Sequence, residues 1–282
     1  MTKKLSIITI NLNDAEGLER TLKSVMDQTV FDQIEYIVID GGSTDSSVDV
    51  LKKYSDKLFY WQSNSEERGI YRQMNKGVSV STGEYLLFLN GGDNLHSSTA
   101  IQSVLPELHD LDFVIGKMVF LDTGHLFEIQ DDLSLLHFMK GSLPHNATFI
   151  KREWLEKYPY DESYRIVSDW KFFLQSFVLG GASYKCIDTV VSDFDCNGIS
   201  SKNRDLCTFE KEQILKDLFP ARILEDYQHF LKGGGYKDTD YDRFYIQLRD
   251  RRYGTVLYKC NLAVMKFIAL FRRNARFVRH YH

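Results

Sequence analysis

From Glu84 to Asp93 the sequence reads Glu-Tyr-Leu-Leu-Phe-Leu-Asn-Gly-Gly-Asp, an apolar run that stops on an asparagine, two glycines and an acid. The apolar run predicts a buried strand, and glycine lets the backbone approach a bound group closely. Ligands in open α/β sheets lie at the carboxyl ends of strands. A carboxylate there can hold a hard cation that carries phosphate oxygens. The alternative is an ordinary turn after a core strand.

Two earlier segments repeat this pattern, because each is an apolar run that ends on polar residues and is followed by helical spacing of apolar residues. Strands are predicted near 5–11, 34–40, 57–62 and 84–90, and helices near 15–28, 44–54 and 69–81. Such alternation is typical of an α/β fold with a parallel sheet and crossover helices. We therefore expect three strand ends, at Asn11, Asp40 and 90–93, to converge on one edge of the sheet.

Five segments together resemble a known family, in the same order along the chain. They are 6–13, 37–45, 69–77 with 82–85, 88–93, and 144–149 with 164–170. With them the chain resembles the inverting glycosyltransferases of family 2, and among these the bacterial enzymes that add sugars to surface polysaccharides such as capsule, O-antigen and exopolysaccharide. The resemblance covers roughly residues 4–201. It implies a GT-A (Rossmann-like) fold, a mixed and mainly parallel sheet flanked by helices, with a helical C-terminal extension.

We expect a catalytic domain at 1–201, with a nucleotide-binding half at 1–97 and an acceptor half at 98–201. In the acceptor half, helices are predicted at 98–108, 133–139 and within 161–179, and strands at 113–120 and 184–194. The pattern beyond Ser201 is helical, apart from a glycine-rich loop at 233–235. Residues 202–282 are therefore expected to form a basic extension packed on the catalytic body.

The resemblance implies a nucleotide-sugar donor, with a UDP-sugar favoured, and places Asp40 against the base or ribose. The other donor-site residues that it implies are Thr9, Asn11, Gly69, Asn75, Lys76, Asn90 and Gly92. Many relatives carry a second acid where this chain has Gly41, which bears on the choice of base. Asp40 could instead cap the following helix, and Lys76 could be an ordinary solvated lysine.

Asp93 stands at the last acid of the family's Asp-x-Asp type of motif, which implies that it is a metal ligand. Asn90 and Gly92 replace acids of that motif, so one carboxylate would do most of the binding. Mn²⁺ and Mg²⁺ accept this arrangement, since one or two carboxylates plus substrate phosphates commonly hold them. The cation would stabilise charge on the leaving diphosphate. The alternative is weak metal dependence.

The resemblance also implies a general base, because inversion needs one carboxylate that deprotonates the acceptor hydroxyl during in-line attack. Asp169, in Ser168-Asp169-Trp170, is the residue at that place, although Ser-Asp before an apolar helix is also ordinary N-capping. His145 is expected to contact the diphosphate or the acceptor, or to be a structural histidine.

Composition sets the class of protein and its compartment. With 282 residues, 43% hydrophobic and 13% aromatic, the chain can form a substantial core, which argues against a disordered chain. It contains no apolar run of about 18 residues and no secretory signal pattern. The four cysteines lack CxxC spacing, which favours free thiols over a zinc site or a disulfide framework. We therefore expect a cytoplasmic protein.

The charge is uneven along the chain. Residues 243–282 hold ten Lys and Arg against one acid, a net charge of +9, whereas the remaining residues carry −13. Within this part, 258–279 reads as a basic amphipathic helix, which can lie on an anionic membrane surface such as the inner face of the membrane. It could equally pack on the body or on a second subunit. Nucleic acid is not expected as a partner, because no recognised module accompanies the basic run.

We therefore expect an inverting glycosyltransferase that acts on a hydroxyl of a glycan or lipid-linked saccharide acceptor. Two alternatives remain open. A nucleotidyltransferase would need a glycine-rich, basic phosphate loop near the first strand, and residues 11–14 offer none. The second alternative is a non-catalytic protein that binds nucleotide sugars as the partner of another transferase. The loss of acids from the Asp-x-Asp type of motif would fit it. The sequence leaves the oligomeric state open.

Overall fold

A mixed sheet organises the computed structural model, which describes residues 3–129, 132–196, 198 and 203–231. These residues divide into two compact units, of which the first ends at Ile214 and the second begins at Leu215. The strands are β1 (Leu5–Asn11), β2 (Ile34–Asp40), β3 (Tyr60–Ser63), β4 (Tyr85–Phe88), β5 (Asn94–Leu95), β6 (Phe113–Phe120), β7 (Leu126–Phe127), β8 (Thr148–Lys151) and β9 (Tyr184–Phe194). Their order is β3-β2-β1-β4-β8-β6-β9-β5, and β7 pairs with β6.

The first four strands form a parallel layer. β1 pairs in parallel with β2 and with β4, and β2 pairs in parallel with β3. All seven residues of β1 and of β2 are buried. This explains why both strands are mostly apolar, because parallel strands are covered by helices on both faces. The expected α/β fold with a mainly parallel sheet is confirmed.

The second half of the sheet is mixed. β8 runs antiparallel to both β4 and β6, β6 pairs in parallel with β9, and β5 pairs antiparallel with β9. β8 thereby joins the two halves into one sheet. The pairing of β5 with β9 then brings the residues that follow β4 beside the end of β9.

The helices cover the sheet and continue beyond it. They are α1 (Ala15–Met26), α2 (Ser47–Tyr54), α3 (Ile70–Val80), α4 (Ala100–Val104), α5 (Leu135–Lys140), α6 (Arg152–Lys157), α7 (Ser168–Leu174), α8 (Arg204–Leu218) and α9 (Ala221–Leu231). α3 packs closely on β1, because a Cβ on Gly77 would lie only 2.4 Å from Cγ2 of Ile8. No helix in the described ranges is long and apolar enough to cross a membrane.

Some predicted boundaries differ from the structure. The strand expected at 84–90 ends at Phe88, since the chain turns at the asparagine and glycines that follow. The helix expected at 98–108 ends its α-helical part at Val104 and continues as a 3₁₀ turn containing Pro106, which has no N–H for an α-helical hydrogen bond. The helix starting at Ser168 passes into a π-helix over Gln175–Leu179. The expected loop at 233–235 and the basic helix at 258–279 lie outside the described residues.

Candidate active site

The carboxyl ends of three parallel strands meet at one edge of the sheet, as the sequence predicted. Asn11 and Asp40 end β1 and β2 and are direct partners in the parallel register. The Nδ2 of Asn11 donates to Oδ1 of Asp40 over 2.9 Å. β4 lies on the other side of β1, so its continuation into Asn90 reaches the same edge. Gly91 packs so closely that a Cβ there would lie 2.8 Å from Oδ1 of Asn11.

The buried carboxylate of Asp40 organises the loop that follows it. It accepts hydrogen bonds from the N–H groups of Gly42 (3.1 Å) and Ser43 (2.8 Å) and from the hydroxyl of Ser63 (2.6 Å). Burial acts to raise the pKa of Asp40, but these hydrogen bonds outweigh it and hold the pKa below its ordinary value. Asp40 is therefore an anion at neutral pH. Asp40 does not cap α2: the N-cap residue is Ser46, and the N–H of Ser47 donates to Oδ1 of Asp45 over 3.0 Å.

Three further residues expected at the donor lie within β1, immediately before α3 and in the turn after β4. Thr9 is buried within β1, with its hydroxyl 3.1 Å from the hydroxyl of Tyr36. Gly69 stands immediately before α3 with φ of +135°, a conformation that favours glycine. Gly92 also has a positive φ, +99°.

Beside the strand ends lies a cleft of about 220 Å³. Four of the expected site residues line it together: Asn90, Asp93, His145 and Asp169. Its walls also include residues that the sequence did not single out, among them Asp14, Tyr71 and Asp195. The cleft thus joins groups from both halves of the expected catalytic domain.

The Asn-Gly-Gly-Asp turn places Asp93 in this cleft. The N–H of Asp93 donates to the carbonyl of Asn90 over 3.0 Å, which closes the turn. The hydroxyl of Thr21 in α1 receives the N–H of Gly92 at 3.0 Å and donates to the carbonyl of Asp93 at 2.7 Å. Helix α1 therefore holds the turn through its backbone, and the side chain of Asp93 faces the residue that follows β9.

Burial dominates the electrostatics of Asp93, raising its pKa to about 7. The N–H of Asp195, which donates to Oδ1 of Asp93 over 2.9 Å, and the amide of Asn146 act in the opposite direction. The nearby Asp195 carboxylate raises the pKa further. A buried carboxylate of this kind is costly to ionise alone, so a cation beside it would be strongly favoured.

The residues around Asp93 fit a cation that arrives with its substrate. A Cβ on Gly92 would lie 3.2 Å from Oδ2 of Asp195 and 3.7 Å from Oδ2 of Asp14, so two further carboxylates approach the same turn. Within the part of the chain that the structure describes, no three acidic, His or Cys side chains form a complete metal site. Mg²⁺ and Mn²⁺ need no such cage when phosphates and water supply the other ligands.

Asp169 reaches the cleft from the first turn of α7. Its Oδ1 accepts from the hydroxyl of Tyr71 in α3 over 2.9 Å, which ties the two halves of the catalytic domain together. The burial of Tyr71 and the charge of Asp169 together raise the pKa of the Tyr71 phenol well above its ordinary value, so the phenol stays a donor. The N-cap of α7 is Val167, and its side chain makes no capping hydrogen bond.

His145 lines the cleft but is also held by aromatic neighbours. Its Nε2 is 2.9 Å from the hydroxyl of Tyr160, and its ring stacks on Phe88 with centroids 5.0 Å apart. Burial lowers the pKa of His145. Without a bound ligand, burial therefore favours the neutral imidazole.

Asn75 and Lys76 lie away from the cleft. The Asn75 amide brackets the backbone of Tyr160, donating to its carbonyl over 2.8 Å and accepting from its N–H over 3.0 Å. Lys76 borders an open surface depression with Glu66, Glu67, Arg72, Asn75, Ser79 and Glu162. The structure does not bring these two residues together with Asp93 and Asp169.

Residues 6–158 match the sequence profile described as Glycosyl transferase family 2. The chain belongs to glycosyl transferase family 2. This family 2 transferase is 31% identical over 227 residues to an uncharacterized glycosyltransferase of Mycobacterium tuberculosis, covering 76% of this chain and 83% of that protein. It is 30% identical over 198 residues to a PGL/p-HBAD biosynthesis glycosyltransferase of Mycobacterium bovis, covering 67% and 76% of the two chains.

Solved structures confirm the GT-A fold of the family 2 transferase. It resembles S. aureus TarS 1-349 in complex with UDP-GlcNAc, with a TM-score of 0.57, 18% identity and coverage of 68% of this chain and 58% of that one. It also resembles the mannosyltransferase PcManGT from Pyrobaculum calidifontis in complex with GDP-Man and Mn²⁺, with a TM-score of 0.53, 16% identity and coverage of 69% and 57%. The matches span less than two thirds of either solved chain.

Two further cleft residues of this family 2 transferase, Asp195 and Asp14, carry a recognisable signal in the sequence. Asp195 directly follows β9, which the sequence predicts as a strand at 184–194, just as Asp93 comes after β4, so an acid behind a predicted strand is the signal at both places. Asp14 caps α1 by accepting from the N–H of Gly17 over 2.9 Å. Tyr71 has no such signal, because a tyrosine on the buried side of a helix reads as core.

Proposed function

We propose that this protein is an inverting glycosyltransferase that moves a sugar from a nucleoside-diphosphate donor to a hydroxyl of a glycan or lipid-linked saccharide. The observation that carries the proposal is the cleft that Asp93 and Asp169 line together. Asp93 follows the central parallel strands, whereas Asp169 comes from the acceptor half. A single displacement needs a base for the attacking hydroxyl and a group that stabilises charge on the leaving diphosphate, and these two carboxylates can serve the two needs.

The donor is proposed to lie along the edge formed by Asn11, Asp40 and Asn90. The Oδ1 atoms of Asn11 and Asn90 are buried and accept no hydrogen bond from the residues that the structure describes. Buried polar atoms normally have partners, so donor hydroxyl or N–H groups would satisfy them. A UDP-sugar is favoured, in keeping with the UDP-GlcNAc complex of TarS.

Asp93, with Asp195 beside it, would hold a divalent cation, Mn²⁺ or Mg²⁺, which when bound supplies positive charge for the leaving diphosphate. The buried Asp93 carboxylate, whose pKa is about 7, would be ionised in that state because the cation offsets its desolvation. The Mn²⁺ complex of the mannosyltransferase supports this assignment.

Asp169 is proposed as the general base. The Tyr71 hydroxyl occupies Oδ1, which leaves Oδ2 to accept the proton of the acceptor hydroxyl. That hydroxyl oxygen bonds to the anomeric carbon as the bond from this carbon to the diphosphate oxygen breaks. The two events on opposite sides of the carbon invert its configuration.

The acceptor class and the cellular site belong to the same proposal. A relative named for PGL/p-HBAD biosynthesis supports a lipid-linked or glycan acceptor. We propose a role in bacterial polysaccharide biosynthesis at the cytoplasmic face of the membrane, with 258–279 as the segment that contacts anionic lipid. This part of the proposal rests on the charge pattern of a segment outside the described residues.

A donor screen followed by product analysis tests the proposal. Purified protein is heated with UDP-, GDP- and dTDP-sugars, with and without Mn²⁺, and a donor at a hundred times its Kd should stabilise the fold by about 2.7 kcal/mol. One nucleotide class should stabilise the wild type, and Asp93→Asn should lose the Mn²⁺-dependent part. The exposed Asp56 provides a matched control, Asp56→Asn, which should behave as wild type.

Transfer is then measured with the donor that binds, and the anomeric configuration of the product is read by NMR. Asp169→Asn should keep donor binding and lose transfer. A product with retained configuration, or full turnover by Asp169→Asn, would contradict the proposed mechanism. Donor binding without transfer to any saccharide acceptor would favour a non-catalytic binding partner instead.

A further inference from the structure

A buried acid in α8 contacts the backbone that leads into Asp169. Glu210 is only 5% exposed, although its helix begins after the expected end of the catalytic domain. Its Oε1 accepts from the N–H of Arg165 over 2.8 Å, and its Oε2 accepts from Ile166 at 3.1 Å and Val167 at 3.3 Å. One carboxylate thus receives three successive backbone N–H groups, an arrangement that suits an anion.

These three residues end immediately before the functional helix. Val167 is the N-cap of α7, and Asp169 lies in its first turn. Ile166 itself lines the cleft beside Asp169. The backbone that Glu210 holds is therefore both a wall of the cleft and the support from which Asp169 projects.

A second contact fixes α8 against the same helix. The Nζ of Lys211 lies 4.9 Å from the ring centroid of Trp170, the residue that follows Asp169. The indole N–H of Trp170 in turn donates to the carbonyl of Phe138 over 3.0 Å. Glu210 therefore contacts the backbone before Asp169, and Lys211 contacts the side chain of the residue after it.

We infer that Glu210 is a positioning residue for Asp169, so the first helix beyond the expected catalytic domain takes part in the active site. This inference rests on the proposed function, in which Asp169 is the base. Glu210 does not reach the cleft itself. It acts by fixing the turn 165–167, and a general base must be held within about 0.5 Å of its productive position.

The test compares Glu210→Gln with Glu212→Gln, which makes the same chemical change at an exposed side chain of α8. The glutamine amide would direct N–H groups at backbone donors, so the turn should loosen while the shape is kept. We expect kcat to fall about 10- to 100-fold with an unchanged Kd for the donor. Amide hydrogen exchange over 165–167 should accelerate at least about tenfold. Glu212→Gln should match the wild type in all three measurements.

A wild-type kcat in Glu210→Gln would overturn the inference. So would a parallel loss of thermal stability, donor affinity and kcat, since that pattern belongs to a general structural role. If Glu210→Gln does not fold, Glu210→Asp keeps the charge with a shorter reach and should show the same selective loss of kcat. Absence of transfer by the wild type would be a different failure, that of the proposed function, and the inference would fall with it.

Discussion

The buried carboxylate of Asp93 gives the metal-free protein a distinctive dependence of stability on pH. Its pKa is raised from 3.8 to about 7 by burial. As pH rises between these values, the unfolded chain releases the proton while the folded protein retains it, so the free energy of unfolding decreases. The free energy of unfolding therefore has its full value below about pH 4, and its decrease due to Asp93 is complete above about pH 7. At about 1.4 kcal/mol for each unit of pH, the full difference is roughly 4 kcal/mol.

Asp93→Asn removes this titration while keeping the side chain's shape and an oxygen for the N–H of Asp195. The assay is urea unfolding in EDTA at several pH values from 5 to 8, for wild type, Asp93→Asn and the exposed control Asp56→Asn. Between pH 5 and pH 8, the stability of Asp93→Asn relative to wild type should rise by about 3 kcal/mol. The control should follow the wild type throughout.

Parallel stability curves for wild type and Asp93→Asn over this range would refute the reasoning, because they would show that Asp93 titrates like an exposed acid. Added Mn²⁺ gives an independent check at pH 8. A cation that binds Asp93 should stabilise the wild type and leave Asp93→Asn unchanged, whereas equal stabilisation of both would place the cation elsewhere.

Three further substitutions have defined outcomes. Tyr71→Phe removes the hydrogen bond to Asp169 and should lower kcat about tenfold with unchanged donor affinity in a transfer assay. Glu35→Gln, at a buried acid that accepts from two hydroxyls and one N–H, should cost about 3 kcal/mol in urea unfolding. Gly77→Ala would place a Cβ 2.4 Å from Ile8 and should cost about 1–3 kcal/mol, read as a lower Tm.

Each of these outcomes can fail in a specific way. A wild-type kcat in Tyr71→Phe would mean that Asp169 is held by other contacts or is not the base. Wild-type stability in Glu35→Gln would show that its three donors find other acceptors, and an unchanged Tm in Gly77→Ala would show that α3 can shift away from β1.

The parallel layer could be predicted from the sequence because its signals are local. The apolar runs predict strands at 5–11 and 34–40, and β1 and β2 have these bounds in the structure. The polar residues that follow such runs lie at one edge because parallel strands end on the same side. Boundaries were less accurate where a turn shortened an element, as after Phe88.

The composition of the cleft followed the sequence only in part. Asp93 and Asp169 were expected from the family motifs, and the structure brings them to one cleft. The same motifs gave Asn75 and Lys76 as donor residues, yet the structure places them on another surface, where the Asn75 amide brackets Tyr160. A family motif specifies residue types at positions along the chain. The surface on which each of those side chains lies depends on how its helix packs against the sheet.

The sequence by itself determined the strands, their polar ends and the family, since hydrophobic period and short motifs are properties of neighbouring residues. Only the tertiary structure decided which polar groups meet. Tyr71 and Asp169 are separated by 98 residues, and Asp93 and Asp195 by 102. Glu210 reaches the turn before Asp169 across about 44 residues. Hydrogen bonds at such separations depend on the packing of the core, because burial brings the groups together and removes the water that would otherwise satisfy them.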